Sequence, residues 1–145
     1  MNSTVIFYRS SMSYIDLRKP AKEAFQGDED VFQKNCAEFA KKELLRCGIE
    51  QEVFFHVPSE GVRKPQYRAK LKLMGFRAGI ADCIFMVPAD GYHGLVIELK
   101  TRGNGPSDDQ KKWLGVMAER GYLALVVNDF ETFKNCLTTY LEQTE

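Results

Sequence analysis

Residues 122–127, YLALVV, form a continuous apolar run, the pattern of a strand buried on both faces. A strand of that kind must be covered on both sides, and its flanks offer the covers. Ser107 reads as a helix N-cap, with Asp108 and Asp109 in the first turn, where carboxylates suit the positive end of the helix dipole. Helical spacing then runs to about Arg120, and Gly121 stops it. Residues 130–141 read as a closing helix. A buried strand between two helices predicts an α/β domain.

The rest of the chain extends this reading. From Asp28 to Cys47, apolar residues at Phe32, Cys36, Phe39 and Ala40 have helical spacing, and Gly48 is a natural stop. QEVFFHV is rich in strand formers and closed by Pro58, after which a basic, Gly- and Pro-containing loop is expected. Residues 80–87, IADCIFMV, and 94–100, GLVIELK, are two further strands, and the turn-like PADGYHG between them suggests a hairpin. The expected order is α, β, β, β, α, β, α: a central mixed sheet flanked by helices, occupying residues 28–145. Residues 1–27 show no clean period and read as an N-terminal arm. Its Val5, Ile6, Phe7, Tyr8, Tyr14 and Ile15 have no place in these elements and mark an interface, with a homodimer expected.

At 145 residues the chain can bury one core, and 44% hydrophobic with 28% charged residues excludes disordered and fibrous classes. No apolar run approaches a membrane span and no signal core opens the chain, so an intracellular protein without a membrane partner is expected. Four cysteines without a C-x-x-C pair and only two histidines, His56 and His93, indicate neither structural zinc nor a disulfide framework. His56 reads as a loop or core-edge residue, His93 as exposed in a turn, and Trp113 as core. The net charge of zero is silent about partners. The distribution is informative, because Arg63, Lys64, Arg68, Lys70, Lys72 and Arg77 follow one another with no acid between Glu60 and Asp82. That stretch is either a phosphate-facing surface or a solvated loop.

Alternation along residues 94–100 puts Val96, Glu98 and Lys100 on one face and Leu95, Ile97 and Leu99 on the other. On the neighbouring strand Asp82 shares a face with Ile84 and Met86, so Asp82 can approach Glu98 across the hairpin. Adjacent carboxylates repel unless a cation or a proton lies between them, and a divalent metal with hard oxygen ligands is the economical solution. Taken alone, Glu98 and Lys100 would better suit the solvated face of an amphipathic strand. Gln110, however, shares the stripe of Trp113, Leu114 and Met117, and Glu29 stands beside the stripe of the first helix. Each can be a cap or first-turn residue; together they fit one polar pocket.

The segments EDVFQ, HVPSEGVR, KLKLMGFRAGIADCIF, GLVIELKTRG, SDDQKKW and a GY before the last strand resemble, in order, the VRR-NUC (virus-type replication-repair nuclease) group of the PD-(D/E)-x-K nuclease superfamily. The resemblance covers the chain from about residue 28 onwards. It implies a restriction-endonuclease-like core and metal-dependent hydrolysis of DNA, with Asp82, Glu98 and the Leu99 carbonyl as ligands of Mg2+ or Mn2+. Lys100 would position or deprotonate the attacking water or stabilise charge on the phosphate, and Gln110 would support the site by orienting the lysine or water. Glu29 would reach the metal through water, with Asp30 the adjacent alternative. Ala81 replaces the proline of the superfamily name, and that side chain performs no chemistry. The resemblance further implies a stand-alone phage-type resolvase that acts as a homodimer on four-way (Holliday) junctions, in the cytoplasm of a bacterial host if phage-encoded. Flaps, nicks or DNA ends are the alternative substrates, and a non-catalytic DNA-binding module of the same fold is the alternative class.

Overall fold

The computed structural model describes residues 13–58 and 64–144. Its strands are β1 (Ile15–Asp16), β2 (Phe54–His56), β3 (Cys83–Phe85), β4 (Leu95–Leu99) and β5 (Leu123–Val127), and its helices are α1 (Glu29–Arg46), α2 (Pro65–Leu73), α3 (Asp108–Glu119) and α4 (Phe130–Leu141). The strands form one mixed sheet in the order β1-β5-β4-β3-β2, parallel across β1, β5 and β4 and antiparallel across β4, β3 and β2. The expected α/β architecture is the observed one.

The two apolar runs occupy the middle of the sheet, and every residue of β4 and β5 is buried. One face, carrying Leu95, Ile97, Leu99, Leu123, Leu125 and Val127, packs on α1 through Phe32, Cys36, Ala40 and Leu44, and on α4 through Phe133, Leu137 and Tyr140. The other face carries Val96, Ala124 and Val126 beneath Leu114 of α3, with Trp113 and Met117 partly buried beside it. Trp113 is therefore core, as its spacing predicts. All four cysteines are free thiols, and Cys36, Cys83 and Cys136 are buried. The hairpin between β3 and β4 turns at Asp90 and Gly91, both with positive φ, closed by a bridge from Ala89 to Tyr92.

The structure departs from the sequence reading in two places. The basic stretch expected as a loop contains α2, which starts with Pro65 at its first turn and buries none of its residues. Part of the arm is an element of the sheet. Ile15 pairs with Leu125 in β5, and Tyr14 and Ile15 pack on opposite faces of this chain's own core. Val5, Ile6, Phe7, Tyr8 and Arg63 lie outside the described residues. Among those described, no helix is long and apolar enough to cross a membrane.

Candidate active site

The ladder between β3 and β4 pairs Cys83 with Ile97, so one step further along it Asp82 meets Glu98. Both carboxylates line a cavity of about 140 Å³ with Glu29, Leu99, Lys100 and Gln110. The cavity thus gathers all five side chains proposed from sequence as catalytic, and Asp30 as well. Glu98 is 2% exposed, and its Oε2 accepts from Gln110 Nε2 at 2.9 Å and lies 3.2 Å from Lys100 Nζ. Asp82 Oδ2 accepts from the Leu99 N–H at 2.8 Å, which ties the acid of one strand to the backbone of the next.

Two largely buried carboxylates face one another in this cavity. Burial, and then the charge of Asp82, push Glu98 up to about 8, against the pull of Lys100. Burial likewise raises Asp82, opposed by the Leu99 N–H, His56 and Lys100. Glu98 Oε1 is buried and has no hydrogen-bond partner. An orphaned carboxylate oxygen beside a second carboxylate fits a hard divalent cation, which would satisfy both. Among the described residues no three acids, thiols or imidazoles converge as a metal cluster, so protein ligation there would be limited to two carboxylates and a main-chain oxygen. Glu29 is exposed at the rim of the cavity, where water can intervene.

Gln110 makes contacts at both ends of its amide. Its Oε1 accepts from the Ser107 N–H at 2.8 Å while Ser107 Oγ accepts from the Gln110 N–H, a reciprocal cap on α3. The cap fixes which end of the amide faces the cavity. The free NH2 points at Glu98.

Two residues gain roles that the sequence reading did not give them. His56 Nδ1 lies 2.7 Å from the Asp82 carbonyl; the carbonyl can only accept, so Nδ1 carries the hydrogen and the ring faces the same cavity. Gly79 has φ +85°, and a Cβ there would stand 2.7 Å from the carbonyl carbon and oxygen of Asp109. The segment leading into Asp82 therefore rests directly on the first turn of α3. Gly79→Ala is expected to cost roughly 2–3 kcal/mol from strain and backbone clash. Thermal melting reads that loss, and manganese affinity should fall with it because Asp82 is displaced; an unchanged melting curve would remove Gly79 from this account.

The model of the VRR-NUC domain matches residues 26–129. The chain belongs to the VRR-NUC family. A solved structure described as a VRR_NUC domain protein superposes with a TM-score of 0.65 at 24% identity, covering 84% of this chain and 93% of that one, and so shares the VRR-NUC fold. No curated protein matches the chain. The domain match begins before Glu29 and ends after β5, so the whole cavity lies within it.

Proposed function

We propose that this VRR-NUC protein is a divalent-metal-dependent endonuclease that hydrolyses phosphodiester bonds in DNA. The observation that carries the reading is the buried Asp82–Glu98 pair with an unsatisfied Glu98 oxygen and Lys100 alongside. Asp82, Glu98 and the Leu99 carbonyl are the residues that would hold Mg2+ or Mn2+, with Glu29 acting through water. A bound ion would polarise the scissile phosphate and acidify a coordinated water. Lys100 stands beside the acid pair, where its ammonium can meet the nucleophile or the charge that develops on phosphate oxygens. Gln110 and the Leu99 N–H hold the two carboxylates in place before substrate arrives. The completeness of the acid and lysine set favours an enzyme over a non-catalytic DNA-binding module.

Lys64, Arg68, Lys70, Lys72 and Arg77 lie on α2 and its flanks, and Arg77 lines a smaller cavity with Asp82 and Gln110. They are proposed as phosphate contacts, as is Arg63 before them. Replacing three of them by glutamine is expected to flatten the dependence of log affinity on log salt by roughly one unit per lost contact. An unchanged slope would return the stretch to a solvated role.

Four-way junctions are the proposed substrate, with a homodimer placing two sites for paired cuts and flaps, nicks or ends as the alternatives. The direct test is purified protein with magnesium or manganese on junction, flap, nicked and linear duplexes. Preferential paired cutting of the junction by a dimer in light scattering supports the resolvase reading. Metal-dependent cutting of the other substrates alone leaves a nuclease of different preference, and no cutting under any condition overturns the enzyme.

A further inference from the structure

The end of α2 is an ordered tip rather than a frayed one. The Phe76 N–H reaches back to the Leu71 carbonyl and the Gly75 N–H to that of Lys72, with Gly75 at φ +97°. This helix-ending turn leaves Leu71 and Phe76 partly buried, while it presents Leu73 at 90% and Met74 at 71% exposure. Single exposed apolar residues are ordinary; two adjacent ones held outward by a closed turn are not. Lys70 lies one helical turn before both, Arg68, Lys72 and Arg77 are close to them in sequence, and no acid occurs from residue 64 to 81. Phe76 and Arg77, immediately after the tip, line a second cavity of about 120 Å³ with Asp82 and Gln110. That cavity shares Asp82 and Gln110 with the candidate site.

We infer that Leu73 and Met74 form an apolar wedge that enters DNA and unstacks bases beside the bond to be cut. The inference rests on the nuclease reading and adds how the substrate is deformed. The charge around the tip selects the occupant: a polyanion is attracted, whereas a second copy of this helix would bring its own cations against these. Apolar side chains set among cations are the means by which proteins open a base step, and the unstacking is repaid by the additional phosphate contacts that a kinked duplex allows. Branch points and nicks, where stacking is already interrupted, cost least to open.

The test uses the full chain with EDTA present, so that no strand is cut, and junction or nicked DNA carrying 2-aminopurine at the discontinuity. Wild type at saturation should raise the fluorescence on the order of a few-fold. The double variant Leu73→Gln, Met74→Gln should leave it at the level of free DNA, with the salt slope retained and affinity reduced by less than about tenfold. Both side chains are exposed, so folding should be intact, and an unchanged melting temperature checks this. Saturated binding by wild type without a fluorescence rise, or an equal rise with the double variant, overturns the wedge and leaves the nuclease reading standing. Absence of DNA binding both in EDTA and with calcium in its place overturns both. Binding to anionic phosphatidylserine vesicles that depends on Leu73 and Met74, with no signal from DNA, would assign the tip to a membrane surface instead and reject the inference.

Discussion

Exchange of Lys100 for alanine is expected to slow DNA cleavage by about two to three orders of magnitude while DNA affinity and manganese binding change little. The side chain is 13% exposed and its Nζ lies 3.2 Å from Oε2 of the buried Glu98, so it brings a cation into a largely buried site where charge stabilisation is strong. The residue follows β4 and is only partly buried, so truncation opens no large void, and the two carboxylates keep their Leu99 and Gln110 partners. Single-turnover cleavage on the preferred substrate, alongside titration calorimetry with manganese, separates chemistry from metal binding. Cleavage by Lys100→Ala at the wild-type rate would defeat the proposed mechanism.

The second large effect is on stability. Glu98 has an ordinary value of 4.5 and is raised to about 8 in the fold. A carboxyl with a raised value binds its proton more tightly when folded. Its contribution is therefore fully present below about pH 4.5 and is lost as pH rises toward 8. The metal-free protein should lose on the order of 3 kcal/mol across that window, a drop of roughly 5–10 °C in melting temperature. Glu98→Gln removes the titrating charge, so its metal-free form should melt above wild type at pH 8 and show a flatter profile. Millimolar manganese should rescue wild type at pH 8 and not the variant. A wild-type profile that is flat from pH 5 to 8 without metal would show that the fold does not raise Glu98, and equal rescue of both proteins would show that the acids do not share a cation site.

Much of this was legible because two simple periods coincide. Alternation along GLVIELK separates Glu98 and Lys100 from the Leu95, Ile97 and Leu99 face, and the Asp-Gly turn of the hairpin brings Asp82 into register with Glu98. Ser107 and the stripe through Leu114 located α3 for similar reasons. Helix α2 escaped notice because a helix that buries nothing has no apolar stripe to betray it. Strand β1 escaped because two residues carry no period, and the partner that makes them a strand, β5, is far along the chain. Gly79 and His56 acquire meaning only from contacts, one with the backbone of Asp109 and the other with the carbonyl of Asp82. No local pattern announces either.

The amide of Gln110 spends one end on closing a helix and the other on holding an acid, so a single side chain ties the start of α3 to the acid pair. Glutamate there could still cap Ser107 but would set a third negative charge against Glu98, whereas asparagine is a methylene too short to span both duties. Selection for a sturdier α3 therefore cannot act on this position without retuning the acid pair. In a library screened for heat resistance alone, position 110 should be the place where stabilised clones silently lose their metal response.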